Sequence, residues 1–417
     1  MSDGWSAGAA RVPFPVPIGT PMAGYAARTG PATGVLDELT IGALYLSIGE
    51  HRLVLVVADI AAVDASLVGE VAAAAQLHPS ALVLCASHTH SGPAGVITRM
   101  HPGDSDRRVP DLREAFVRAC VQAIDAARGN SEPVDLLFGQ QETTGLAANR
   151  NAPDGPFDPR VSVLATRNRS GQLTAALVHF ACHPTILSAE NRLLSADFPG
   201  ALRRAAEPLL SQDGATTVVL FVNGAAGDVS TRFTRTAQDY AEVERVGNGL
   251  AAAVVSALEM ENAREVGPGI DSARVSVTLD PRSLDDVSEP ELSAETTELS
   301  AGELRKAETR AQGAMLLDRL AKAGPDAIQH TFELPAWKLG DVRLVAVPGE
   351  LFASLGARIA ESVPGPALVL GYANGYVGYL VDDAAQATGT YEALASPFAP
   401  GAGKAVAEAA ATVIAQV

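Results

Sequence analysis

The sequence predicts an α/β fold in which mixed β-sheets form a layered core flanked by helices, within a single domain spanning 1–417. Three observations predict it. Short apolar runs at 81–86, 173–181 and 216–222 are rich in β-branched and small residues and end abruptly in polar, Gly or Pro residues, as strands buried on both faces do. Segments at 65–77, 110–128, 199–210 and 236–260 read as the intervening helices. The pairs 40–49 with 52–60, and 330–338 with 341–347, read as hairpins turning at Gly49-Glu50 and Leu339-Gly340, so antiparallel pairing is expected as well.

Taken in order, residues 1–38 are Gly/Pro-rich, with Pro13, Pro15, Pro17, Gly19, Pro21 and Gly24. They read as irregular backbone, too apolar for a free tail, lying over the fold. The helix at 110–128 opens on Pro110-Asp111, repeats Leu112, Phe116, Ala119, Cys120 and Ile124 at helical spacing, and stops at Gly129. Strands are expected at 134–140 and 161–167, with Ala147–Asn151 in a long irregular section between them. Asp197 is placed to cap the helix at 199–210. A strand at 270–280 leads into an acidic section, 284–310, that reads as a solvated helix or an exposed excursion. A last strand with a Gly/Tyr-rich loop (367–381) and a helix at 403–415 complete the chain, which has no internal repeat.

Composition narrows the possible partners. With 47% hydrophobic residues the chain can build a large core, and a net charge of −17 argues against nucleic acid or an anionic membrane as partner. Cys85, Cys120 and Cys182 are odd in number and far apart, and read as reduced core residues. The N-terminus lacks a basic segment followed by an apolar one, and no uninterrupted apolar run reaches the roughly 18 residues of a spanning helix. A cytoplasmic protein without a transmembrane segment is expected. The sequence leaves the oligomeric state open.

Chemistry gathers at strand ends. The run Ala81–Ala86 opens into Ser87-His88-Thr89-His90-Ser91-Gly92-Pro93, so two imidazoles sit on one face of an extended chain at the rim of a sheet. A second strand ends in Ala181-Cys182-His183-Pro184, where His183 is the better ligand candidate and His179, four residues earlier, reads as a satisfied core histidine. A third runs into Asn223-Gly224-Ala225-Ala226-Gly227-Asp228-Val229-Ser230, whose small residues allow close backbone approach to a ligand. Val347-Pro348-Gly349-Glu350 places a carboxylate before a helix, and Tyr376 and Tyr379 lie in the last loop. Two neutral imidazoles with one carboxylate form a common zinc set. A tyrosine oxygen can complete it or donate to a developing oxyanion.

Seven motifs, in order, carry a resemblance: Ser-His-Thr-His-Ser-Gly-Pro-Ala-Gly (87–95), Ala-Asn-Arg-Asn (148–151), Ala-Cys-His-Pro (181–184), Ser-Ala-Asp-Phe-Pro-Gly (195–200), Gly-Asp-Val-Ser (227–230), Pro-Gly-Glu-Leu (348–351) and Asn-Gly-Tyr-Val-Gly-Tyr (374–379). Together with Met22–Tyr25 and Tyr391-Glu392, they resemble the neutral/alkaline non-lysosomal ceramidase family over about residues 18–403. The resemblance implies a zinc-dependent hydrolase of an N-acyl amide bond, with a small-molecule or lipid-like acyl-amide substrate. It implies His88, His183, Glu350 and Tyr379 as Zn2+ ligands, with Tyr379 also acting in catalysis, and His90 as the group that positions or shuttles protons. Arg150 and Ser230 would line the site; Ser230 has a rival reading as a nucleophile, but metal-activated chemistry favours positioning. Asn149, Asp197, Gly227, Asp228, Tyr376 and Tyr391 would contact substrate. The chain departs from the resemblance in length, ending near where a C-terminal immunoglobulin-like domain would begin, and in reading Thr231-Arg232-Phe233 where the family typically has Pro-Asn. Ceramide itself is therefore not assumed as substrate. An esterase, lactonase or peptidase is the alternative, with a non-catalytic binding relative behind it.

Overall fold

The structure, a computed structural model, describes residues 4–417 apart from 102–103, 105, 107, 213, 284–300, 325–327 and 329. Its larger sheet is built on β1 (Ser6–Pro13), β2 (Thr40–Ile48), β3 (His51–Ala58), β4 (Leu82–Ala86), β5 (Glu132–Glu142), β6 (Arg160–Asn168), β7 (Leu173–Phe180) and β8 (Val218–Asn223). Their order across the sheet is β8-β7-β6-β5-β1-β2-β3-β4, with Ala263–Glu265 added beside β5. Only the outermost pairs, β3 with β4 and β7 with β8, are parallel along this path; the others run antiparallel. A second sheet has the order β9 (Ile270–Thr278), β10 (Thr331–Leu339), β11 (Val342–Ala346), β12 (Ala367–Leu370).

Period-two alternation assigns each strand face to a layer. On β3, Val54 and Val56 face a core shared with Phe116 and Ile124 of α1 (Pro110–Gly129), Leu202 of α2 (Phe198–Leu210) and Leu250 of α3 (Tyr240–Ala257). Leu53 and Leu55 point the other way, into a core shared with Trp337, Leu339, Leu344 and Leu370 of the second sheet. The far face of that sheet packs on α4 (Ala353–Glu361) and α5 (Ala402–Ile414) through residues such as Leu355, Ile359, Val406 and Val413. The layers therefore run helix, sheet, sheet, helix, as the α/β expectation of layered mixed sheets requires.

The N-terminal expectation needs correction. Ser6–Pro13 is not an overlying irregular segment: it is an interior strand that pairs with β2 along its whole length and with β5 at Ser6–Pro133 and Ala7–Glu132. Its Ala-rich stretch fits a crowded sheet interior, and the prolines that suggested irregularity fall at its end or beyond it. The two halves of the large sheet join at that corner and approach again towards the other end of β1, where Arg11 donates to Val219 O (3.2 Å). Most other expected elements lie within a few residues of their predicted bounds; the helix predicted over 236–260 is confined to Tyr240–Ala257. Of the acidic section, 284–300 lies outside the described residues, and a helix occupies Ala301–Ala323.

This architecture brings strand ends to one rim. Asn223, the last residue of β8, accepts from Cys182 N (3.1 Å) and donates to Cys182 O (3.0 Å) and Ser87 O (3.3 Å). Gly371 N, just after β12, donates to Asn223 O (3.0 Å), and Ala86 N donates to Tyr372 O (3.1 Å). One buried amide side chain thus ties the segments that follow β4, β7 and β8.

Candidate active site

His88 follows β4 in a left-handed backbone conformation, φ 67°, uncommon for a residue with a β-carbon and of the kind concentrated at functional sites. Its Nδ1 lies 2.6 Å from Ala61 O. A carbonyl only accepts, so Nδ1 carries the proton and Nε2 presents a lone pair inward. His183 repeats the arrangement: Nδ1 lies 2.7 Å from Ala226 O and 3.1 Å from Val229 O, and Nε2 points inward. Both inward nitrogens meet one carboxylate, with Glu350 Oε2 at 2.9 Å from His183 Nε2 and 3.5 Å from His88 Nε2. The Tyr376 hydroxyl donates to the other oxygen of Glu350.

His90 Nε2 lies 3.2 Å from His88 Nε2, and His90 Nδ1 is buried with no hydrogen-bond partner among the described residues. The inward nitrogens of His88, His90 and His183 all lie within 4.8 Å of one another. The Tyr25 ring meets His90 edge-on at 4.9 Å, and Gly24 makes that approach possible: a β-carbon there would stand 2.6 Å from His90 Cβ.

Electrostatics define the state of the cluster. Burial, then the charge of Arg150, push His183 down to about 4, and burial together with His88 and His183 puts His90 well below its ordinary value. Both rings are neutral near pH 7. Burial raises the Glu350 carboxyl, but the histidines around it outweigh that and hold it well below the carboxylate range. The outer nitrogen of each ring is taken up by backbone carbonyls, which leaves His88 Nε2, His183 Nε2 and the Glu350 carboxylate directed at one another. Two imidazole nitrogens and a carboxylate aimed at one point are a donor set that fits a divalent cation.

Arg150 forms the second half of the site. Its Nε donates to Glu392 Oε1 (2.6 Å) and a terminal nitrogen donates to Tyr379 Oη (3.0 Å), while Asn151 donates to the other oxygen of Glu392 (3.1 Å). Burial opposes the guanidinium charge, but Tyr379, Glu392 and Glu350 outweigh it. Tyr379 and Glu350 are neighbours in a short parallel bridge, so the phenol enters beside the carboxylate, and the Tyr391 ring packs edge-on against Tyr379 at 5.8 Å.

The remaining sequence candidates are distributed around this centre. Ser230 pairs by its backbone with His183 and with Ala148, and its Oγ accepts from Arg232 N (3.2 Å). Asp228 accepts from Asn149 Nδ2 (2.6 Å) and Ala353 N (2.8 Å), so both side chains brace the turn that carries Arg150 and Ser230. At Gly227 a β-carbon would stand 2.5 Å from Glu350 O, which explains glycine there. Asp197 is buried and accepts from Phe198 N (2.7 Å) and Leu187 N (3.0 Å), capping α2 as expected. Tyr376, read from the sequence as a substrate contact, has its hydroxyl on Glu350. His179 is buried against Val369 O (3.0 Å), in line with a core role, although its Nδ1 has no partner among the described residues. The three cysteines are free and buried.

Sequence reasoning missed three contributors. Tyr372 is fully buried, stacks on His88 with ring centroids 3.8 Å apart, and leaves its hydroxyl without a partner among the described residues. Asn223 and Glu392 were seen only as members of motifs. A phenol two residues past a predicted strand end, in a Tyr-rich loop, was the signal available for Tyr372.

The family model described as "Neutral/alkaline non-lysosomal ceramidase, N-terminal" matches residues 15–297. The chain belongs to this family. A neutral ceramidase from Pseudomonas aeruginosa is 31% identical over 134 residues, covering 28% of this chain and 20% of the relative, so the matched segment spans about a fifth of that protein. The crystal structure of neutral ceramidase from Pseudomonas aeruginosa superposes with a TM-score of 0.80 at 20% identity, covering 99% of this chain and 74% of the other. A structure described as a ceramidase complexed with C2 gives a TM-score of 0.80 at 18% identity, covering 99% and 75%. These structural matches identify the fold as that of neutral ceramidase. No helix among the described residues is long and apolar enough to cross a membrane.

Proposed function

We propose that this ceramidase-family chain is a zinc-dependent hydrolase of an N-acyl amide bond, acting on a linear acyl amide that need not be ceramide. One observation carries the reading: the inward nitrogens of His88 and His183 and the carboxylate of Glu350 converge on one point in a buried site. With Tyr379 as the fourth donor, they would hold the ion. When bound, zinc supplies Lewis-acid polarisation of a carbonyl and a nucleophile from water near neutral pH.

The chain's own residues do the rest. His90, whose Nε2 faces the cluster 3.2 Å from His88 Nε2, accepts a proton from the attacking water and returns it to the departing amine. Arg150, held by Glu392, orients the Tyr379 phenol and provides a fixed positive charge beside the developing oxyanion. Ser230 and Asn149 position the turn that brings Arg150 to the centre, and no covalent step on Ser230 is needed.

Metal analysis with activity assays tests this. Purified protein should carry about one zinc per chain and lose amide hydrolysis on chelation, with recovery on adding zinc. A panel of acyl amides, esters, lactones and peptides separates the amidase from an esterase, lactonase or peptidase. Failure to bind zinc, or full activity in chelator, sinks the reading, and zinc binding without turnover of any member of the panel points to a binding relative.

A further inference from the structure

Where β9 and β10 run past the end of β11, the second sheet narrows to a two-stranded ribbon. β11 pairs with Ala336–Leu339, and Pro335, which has no N–H to give to a ladder, immediately precedes that run. Ser272, Arg274 and Ser276 of β9 stand opposite Trp337, Pro335 and Glu333 of β10, so these side chains share one face of the ribbon. The large sheet covers that face at Trp337, which is buried between the sheets and donates from Nε1 to Ser80 O (3.0 Å). Beyond Trp337 the face opens on a cavity of about 590 Å³, within the range of roughly 300–1,000 Å³ typical of small-molecule sites. The helix Ala65–Ala74 supplies another wall through Val68 and Gly69. No lining residue of this cavity belongs to the histidine cluster.

Arg274 and Glu333 both line the cavity and are diagonal neighbours on that face, a spacing of about 7–8 Å between strand positions. Neither has an ion-pair or hydrogen-bond partner among the described residues, and they do not pair with each other. His78, the remaining titratable side chain on the lining, is turned onto Ser80, with Nδ1 2.7 Å from Ser80 Oγ. One positive and one negative group thus flank a hollow whose apolar walls include Val68, Phe332 and Trp337. We infer that this cavity is a ligand site for an apolar α-amino acid. Its carboxylate meets the Arg274 guanidinium, its ammonium meets Glu333, and its side chain lies against the apolar walls. A guanidinium fork facing a carboxylate is a strong, oriented pairing, and a zwitterion with adjoining charges bridges the gap that the two side chains leave between themselves. The inference goes beyond the hydrolase reading and does not depend on it.

Calorimetric titration of the purified protein tests this with L-phenylalanine, with 2-phenylethylamine, which lacks the carboxylate, and with 3-phenylpropionate, which lacks the ammonium. Phenylalanine is expected to bind tightest, each analogue about fivefold more weakly. Arg274→Gln should remove the advantage over 2-phenylethylamine, and Glu333→Gln the advantage over 3-phenylpropionate. A third variant blocks the space itself. Gly69 is helical and a β-carbon there would meet nothing within 4 Å, so Gly69→Leu fills the cavity without a clash. It should abolish phenylalanine binding with a melting temperature no lower than that of the wild type, since leucine favours a helix more than glycine does. Absence of saturable phenylalanine binding overturns the inference. So does binding that Gly69→Leu leaves intact, which lies elsewhere, and binding that neither glutamine variant weakens, which is not recognition of a zwitterion. None of these readouts requires turnover, so the hydrolase reading stands or falls separately.

Discussion

The ring of Tyr372 lies flat on the imidazole of His88, centroids 3.8 Å apart and planes within 20° of parallel. Tyr372 has φ 54°, so both members of the pair are in left-handed backbone. Stacking fixes the ring plane of His88 as the Ala61 carbonyl fixes its tautomer. Together they aim Nε2 without freedom to turn.

Removing the stack should loosen that aim. Tyr372→Ala is expected to weaken zinc binding by about tenfold, the scale of lost supporting contacts at metal sites, while Tyr372→Phe keeps affinity near wild type. Competition with a fluorescent chelator reads this out. Equal affinity in Tyr372→Ala and wild type would show that the stack is packing alone.

His183 and Ser230 sit side by side in one backbone bridge, yet different roles are assigned to them. His183→Ala should lose bound zinc, and Ser230→Ala should retain it with reduced turnover. Zinc-to-protein ratios after dialysis decide the matter: equal loss in both variants contradicts the positioning role of Ser230.

The Arg150–Glu392 pair is buried, with side-chain exposures of 10% and 2%. Arg150→Gln leaves a carboxylate with no countercharge and should cost about 3–5 kcal/mol of stability. Adding Glu392→Gln should restore most of that stability and none of the activity. Chemical denaturation of the two variants, alongside amide turnover, separates fold support from chemistry.

Outside the histidine cluster, Asp64 caps the helix Ala65–Ala74 through Leu67 N (2.8 Å), accepts from Thr98 N (2.9 Å) and pairs with Arg113. Burial raises its carboxyl, but the hydrogen bonds from Arg113, Thr98, Ser66 and Leu67 outweigh that and hold it at about 2, against an ordinary 3.8. Its folded pKa is therefore below its unfolded one. The stabilisation is complete above pH of about 4 and fades as pH falls towards about 2, reaching about 2 kcal/mol at neutrality. Asp64→Asn should lower stability at pH 7 and flatten its dependence on pH between about 4 and 2. Urea melts across that window provide the measurement, and an unchanged slope refutes the assignment.

Much of this was legible in the residues. Strand ends at Ala86 and Phe180 were marked by an abrupt change from apolar to polar, and a buried strand cannot run on through such a change. The motifs that followed carried the family resemblance. Ser6–Pro13 was not legible, because Gly, Ala and Pro are poor strand signals on their own and the pairing that orders them comes from β2, more than two dozen residues later. Nor was the role of Asn223, since an amide beside a glycine reads as a turn until its three backbone partners are in place. The partnership of Arg150 with Glu392 spans 242 positions, a separation that no local pattern encodes.

The order in which the chain is made has a bearing on the site. His88 emerges well before Asn223, which ties Ser87 to Cys182, and Asn223 well before Glu392. Domains consolidate in step with translation, and distant pairings form slowly. A nascent chain would hold its histidines at an unfinished rim until the loop that carries Glu392, and the α5 helix behind it, had been made. The rim would therefore close only once Glu392 has reached Arg150, long after His88 has emerged.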